Sequence, residues 1–156
     1  MSDEQPMQLP TNIDANWKIG IIAAQWHRDI LQPMIDIAVK TLTDAGIDAA
    51  NISLYDAPGS FEIPLIGAAL IEQKDALIGF GIVLQGETMH AQNIMQSASQ
   101  AMMELQVVHK KPFAFEILHV LTLNQARERA AGPHNKGFEA ARAVLISLME
   151  LNKIGV

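Results

Sequence analysis

The 156-residue chain has no cysteine, no dense run of lysine or arginine, and no apolar stretch long enough to cross a bilayer as a helix. Without cysteine there is no disulfide framework and no thiolate metal site. Eleven basic residues stand against 17 acidic ones, for a formal charge of −6. That balance argues against a nucleic-acid or anionic-membrane surface and confines any phosphate contact to a local site. The longest apolar run, Ala76 to Leu84, is far short of the roughly 20 residues a spanning helix needs. No positively charged start leads into an apolar stretch, so no secretory signal is expected and the expected compartment is the cytoplasm. Internal repeats and low-complexity tracts are also missing.

What remains is 49% hydrophobic content in a length that fills one core and leaves little room for a second. Residues 1–16, with two prolines and no periodicity, read as an arm that is disordered or docked on a neighbour. Residues 17–156 read as one domain. Lys18 to Ala24 predicts a first buried strand, and the apolar positions from Ile30 to Ala45 a helix stopped by Gly46. Asn51 to Tyr55 predicts a second strand, Asp56 to Ser60 a turn, and Phe61 to Gln73 a second helix. Ala76 to Leu84 is the third strand and Ala91 to Leu105 the third helix. Pro112 to Leu121 is a fourth strand, followed by a short helix over Asn124 to Ala131, a Gly132-Pro133 breaker and a final helix over Lys136 to Leu151. Alternating strands and helices imply a three-layer α/β sandwich around a four-stranded parallel sheet, of the flavodoxin-like kind.

The third strand carries the most information. A strand can be apolar throughout only if both its faces are covered, and this one runs directly into Gln85-Gly86-Glu87-Thr88-Met89-His90. Ligands of open α/β sheets bind beyond the carboxyl ends of the strands, and a helix N-terminus offers free N–H groups to an anion. A phosphate fits at Gly86 to Thr88, with His90 a turn away for proton transfer. Glu87 would serve through its backbone N–H, since its carboxylate repels an anion. The plainer alternative is that Thr88 caps the helix and His90 bonds a loop.

Four further spots fall at the same sheet edge: Trp26-His27, Gly59-Ser60-Phe61-Glu62, Phe115, and Arg129 with Lys136 around the breaker. Singly, each has a structural explanation, as a core plug, a helix-terminal acid or a surface ion pair. Jointly they supply an aromatic face, polar groups for hydroxyls and cations for phosphate, which make a small-molecule pocket.

The order and spacing of these pieces resemble the lumazine synthase family from Lys18 to Leu151. Pro58-Gly59-Ser60-Phe61-Glu62-Ile63-Pro64 is similar to the family's PGAFEIP turn, Gly81 to His90 to its GxVIxGxTxH segment, and Gln125 to Ala130 with Asn135-Lys136-Gly137 to its EQAxERA and NKG. The resemblance implies 6,7-dimethyl-8-ribityllumazine synthase activity in riboflavin biosynthesis, a transferase reaction. The enzyme would condense 5-amino-6-(D-ribitylamino)uracil with 3,4-dihydroxy-2-butanone 4-phosphate, without a metal or organic cofactor. It implies ring stacking on Trp26 and contacts of Ser60, Phe61 and Glu62 with the ribityl hydroxyls. Backbone of Ile82, Val83 and Leu84 would meet the pyrimidine edge, and Glu87, Thr88 and Arg129 would hold phosphate. His90 would be the catalytic proton shuttle, with Phe115 and Lys136 supplied by an adjacent subunit.

A shared site requires a homo-oligomer, and the resemblance implies at least a pentamer; Met102, Met103 and the apolar side of the third helix are candidates for subunit contacts or, equally, for the chain's own core. The family also forms decamers and sixty-subunit shells. Trp26 resembles a flavin-retaining subset of the family, so riboflavin binding is a further expectation. An alternative function follows from it: a weakly active paralogue acting as a flavin-binding or scaffold protein.

Overall fold

The computed structural model describes residues 8–156. Its elements follow in the order β1 (Ile19–Ala24), α1 (Arg28–Ala45), β2 (Ile52–Ala57), α2 (Ile63–Leu70), β3 (Ala76–Leu84), α3 (His90–His109), β4 (Phe113–Val120), α4 (Leu123–Arg129) and α5 (Lys136–Ile154). The four strands form one all-parallel sheet in the order β2-β1-β3-β4. The central strands are the apolar ones: every residue of β1, and every residue of β3 except Leu84, is buried. Edge strand β2 alternates between exposed and covered positions, as a strand with one open side should.

Side-chain alternation along β3 divides the interior. Ile78, Phe80 and Ile82 join Leu31 and Met34 of α1 and Val144 and Leu145 of α5 in one cluster. Leu77 and Val83 join Ile63 and Leu70 of α2 and Ala98 and Met102 of α3 in the other. Close approach of the layers rests on glycine. A Cβ on Gly79 would sit 2.8 Å from Ile63 and 2.9 Å from Met102, and one on Gly137 would strike the Met34 carbonyl, so only glycine lets α5 lie this close to α1.

The expected sandwich is present, with altered element ends. Strand β2 runs to Ala57 because Ala57 pairs with Ala24. Helix α2 is shorter than the sequence pattern predicts. Ser60–Glu62 forms a 3-10 turn, with Glu62 Oε2 accepting the Gly59 N–H at 3.1 Å, and Lys111 Nζ donates to the Ile71 carbonyl beyond the helix end. Helix α3 starts at His90 and continues to His109, stopping where Lys110 takes the left-handed conformation. Of the paired methionines, Met102 lies in the chain's own core and Met103 is exposed.

Residues 8–17 lie on their own domain. Leu9, Ile13 and Trp17 pack on the α1–α5 cluster, Arg142 Nε donates to the Gln8 carbonyl at 3.0 Å, and Asp48 N donates to the Ala15 carbonyl. The arm expected over residues 1–16 to be disordered or docked on a neighbour is, from residue 8 on, packed against its own domain; residues 1–7 lie outside the described residues. Among the described residues no helix is long and apolar enough to cross a membrane.

Candidate active site

The chain leaves β1 toward β2 on one side and returns to β3 on the other, which makes the β1–β3 junction the switch point where such sheets bind ligands. Pairing of β1 with β3 ends at Ala23 and Phe80, while β3 continues to Leu84 with only β4 beside it. The backbone edge of Ile82, Val83 and Leu84 on the β1 side is therefore open, and it faces a cleft of about 830 Å³.

Trp26 stands over the cleft with 70% of its surface exposed. Its position is set by the turn that follows β1. His27 adopts φ 59°, ψ 34°, a left-handed conformation that few residues with a Cβ take. The Arg28 guanidinium grips the Ala23 and Ala24 carbonyls and pairs with Asp56 of β2. The indole is thus carried on a braced turn, and His27 meets it edge-on at 6.4 Å between ring centroids.

The opposite wall is the turn after β2. Glu62 closes it through Gly59, leaving one carboxylate oxygen for a ligand, and Phe61 is exposed beside it. Ser60 is buried, and its Oγ has no hydrogen-bond partner among the described residues. That hydroxyl occupies the space a Cβ on Gly81 would need, which accounts for the glycine in β3. From α3, His90 and Ile94 face the cleft. Asn93 and Ser97 do so too, although neither stands out in the sequence. Helical spacing from His90 at i+3, i+4 and i+7 is the signal that would have found them.

The cleft therefore brings together Trp26, Ser60, Phe61, Glu62, Ile82, Val83, Leu84 and His90. Glu87 and Thr88 are exposed on the loop that leads into α3, and the Thr88 Oγ accepts the His90 N–H at 3.3 Å. Phe115, Arg129 and Lys136 do not line the cleft of their own chain. Phe115 is half-buried against the α2–α3 cluster. Arg129, exposed at the end of α4, turns one guanidinium nitrogen back to the Gln125 carbonyl at 3.1 Å. Lys136 opens α5 and pairs with Glu139 at 2.8 Å. Buried Asn135 fixes that helix start, accepting the Gly137 N–H and donating to the Ala130 carbonyl, each at 2.7 Å. Burial pushes the nearby Glu116 carboxyl up to about 7, against the pull of Lys136 and with a further push from Glu139.

An indole face, a carboxylate-closed turn, an open strand edge and an imidazole at the switch point define a class: open parallel α/β proteins that hold a flat, hydroxylated small molecule and can move protons on it. The sequence model described as 6,7-dimethyl-8-ribityllumazine synthase matches residues 16–153, and the chain belongs to that family. It is 38% identical to the 6,7-dimethyl-8-ribityllumazine synthase of Porphyromonas gingivalis, over 93% of this chain and 91% of that one. It is 39% identical to the enzyme of that name from Cytophaga hutchinsonii, over 84% of each chain. Identity is 36% to the one from Cutibacterium acnes, over 86% and 82% respectively.

Proposed function

We infer that the β1–β3 cleft is where this chain carries out the activity of its family, the synthesis of 6,7-dimethyl-8-ribityllumazine. The enzyme is a transferase of riboflavin biosynthesis. It joins the amine of 5-amino-6-(D-ribitylamino)uracil to the ketone of 3,4-dihydroxy-2-butanone 4-phosphate, closes the second ring, and releases phosphate and water. Its substrates are small molecules.

In this reading the uracil stacks on Trp26 with its polar edge along the Ile82–Leu84 backbone. The ribityl chain follows Ser60, Phe61 and the free oxygen of Glu62. The second substrate's phosphate takes the N–H groups of Glu87 and Thr88, the Thr88 hydroxyl and the Arg129 guanidinium. His90 takes and returns protons as the imine forms and phosphate leaves. Holding two reactive partners side by side supplies a large share of the rate.

The observation that carries the shared-site part is the cleft's own lining. Among the described residues it contains no lysine and no arginine, while one substrate carries a phosphate. Lys136 of an adjacent copy would supply that charge, with Phe115 of the same copy reaching in beside it. Exposed Leu65, Met103, Val107 and Val108 offer the apolar surface for such contacts. A ring of five subunits is proposed as the smallest active unit, acting in the cytoplasm, with residues 17–156 as the folded domain behind the arm. Riboflavin binding on the same indole is proposed as a side property of the cleft.

Mixing the purified protein with both substrates and following lumazine fluorescence tests the activity. Product is expected to form; firm riboflavin binding with no turnover would reverse the conclusion in favour of a flavin carrier.

A further inference from the structure

Gln85 and His119 do not line the cleft, and no role above uses them, yet their side chains meet. His119 Nε2 is 2.7 Å from Gln85 Oε1, and the Gln85 amide nitrogen donates to the Gly86 carbonyl at 2.8 Å. The second bond fixes which end of the amide is which, because a carbonyl oxygen can only accept. Gln85 Oε1 therefore accepts, and His119 Nε2 carries the proton, in the Nε2–H tautomer or the imidazolium alike. The same amide nitrogen faces Gln92 Oε1 at 3.4 Å and the Thr88 carbonyl at 3.5 Å, which share its second hydrogen.

One side chain thus ties the end of β3 to edge strand β4, to the Gly86–Met89 loop and to the first turn of α3. Both partners are rooted in the sheet. His119 pairs in register with Val83, and the Gln85 N–H donates to the Val120 carbonyl at 2.8 Å.

Peptide planarity carries the effect across the loop. In a trans peptide the C=O and the following N–H point in opposite directions, so drawing the Gly86 and Thr88 carbonyls toward Gln85 turns the Glu87 and Met89 N–H groups away from it. Among the described residues these N–H groups, and that of Thr88, have no protein acceptor. They are donors left free and held in place.

We propose that Gln85 and His119 are positioning residues for the phosphorylated substrate, a brace that keeps the N–H groups of the Gly86–Met89 loop aimed outward before phosphate arrives. The inference rests on the reading of that loop as the phosphate site. Because the loop is ordered in advance, binding does not have to order it. The pyrimidine side, built from Trp26, the Ser60–Glu62 turn and the Ile82–Leu84 backbone, takes no hydrogen bond from either side chain.

The test compares Gln85→Leu, His119→Leu and His119→Gln in the full-length enzyme, with separate Michaelis constants for the two substrates and inorganic phosphate as competitive inhibitor. Gln places an N–H donor near the position of Nε2 and Leu does not. Both Leu variants should raise KM for the phosphorylated ketone and weaken phosphate inhibition by roughly three- to tenfold, the effect of one hydrogen bond. KM for the pyrimidine should hold, the change should fall on KM rather than kcat, and His119→Gln should recover most of the loss. An unchanged ketone KM in Gln85→Leu, an equal rise for both substrates, or His119→Gln as impaired as His119→Leu overturns the proposal. Arg129→Ala separates the two readings. If it raises the ketone KM while Gln85→Leu does not, the phosphate site stands and the brace falls; if neither variant does, both fall.

Discussion

On the face of the sheet covered by α1 and α5 the chain completes its own core, with Gly137 against the Met34 carbonyl and Leu9, Ile13 and Trp17 folded over the helices. The face covered by α2 and α3 leaves Leu65, Met103, Val107 and Val108 in solvent. The cleft opens on this second side, between the β2 turn and the start of α3, and among the described residues its lining holds no lysine and no arginine. The contrast teaches a division of labour. One face is finished by the chain itself, and the other is left open, as the proposed site completed across subunits requires.

The sharpest way to break that comparison is to mix lesions. His90→Ala and Lys136→Ala, each slowed alone, should recover part of the lost rate when co-assembled from unfolded chains, because about a quarter of the interfaces in a random mixture pair two intact partners. If both residues serve the same chain's pocket, every pocket carries a lesion and the mixture makes lumazine no faster than the average of the two variants.

The faces should also fail differently. Gly137→Ala forces a methyl into backbone and should cost about 3 kcal/mol of folding stability, as overpacking of a closed core does. A Val107→Asp, Val108→Asp double variant alters two exposed side chains and should change the stability of the single chain little. It should nevertheless abolish assembly and activity together. Chemical denaturation and light scattering read the two effects, and a double variant that still formed rings would remove the α3 face from the interface.

Much of this organisation is legible in the residues. The unbroken apolar run of β3 requires burial on both faces, and helical spacing finds α1, α3 and α5, because these patterns report a sheet covered by helices whatever the details. The Pro58–Pro64 turn and the Gly86–His90 segment mark two walls of the cleft by their unusual residue order. What the sequence hides depends on neighbours brought together by folding. Periodicity cannot say whether Met102 or Met103 faces inward, since adjacent helical positions lie only about 100° apart. Nothing local foretells the left-handed turn at His27, which is held by Arg28 and Asp56. The link between Gln85 and His119 spans two strands, and Asn135 reads as a loop polar residue until its bonds to Ala130 and Gly137 are seen.

Glu116 is the flaw in the closed face, a half-buried carboxyl on β4 beside the Lys136–Glu139 pair. Its proton is held more tightly in the folded chain than in the unfolded one, so the associated stability is complete below the ordinary carboxylate range and lost as pH rises through about 7. Glu116→Gln mimics the protonated form. The variant should match the parent near pH 4.5 and exceed it by about 2 kcal/mol near pH 8, since a pKa unit is about 1.4 kcal/mol and part of the shift is screened by solvent. Parallel stability curves for variant and parent would mean that folding does not shift the Glu116 carboxyl from its ordinary range.

The smallest effect belongs to the indole over the cleft. Trp26 is 70% exposed and contributes little to the core, so Trp26→Ala should leave the melting temperature within a degree or two. Stacking adds roughly 0.5 to 1.5 kcal/mol beyond buried area, which sets the expected weakening of riboflavin binding at about two- to twelvefold. The braced turn formed by His27 and Arg28 should survive, because its bonds run through the backbone of Ala23 and Ala24 and the Asp56 carboxylate, not through the indole. Fluorescence titration with riboflavin, alongside a thermal melt, separates the possibilities. Unchanged flavin affinity with a collapsed melting temperature would make Trp26 a structural plug. The cleft would then have to hold its ring by the Ile82–Leu84 backbone edge alone, and the comparison between a self-finished face and a ligand-ready one would lose its clearest marker.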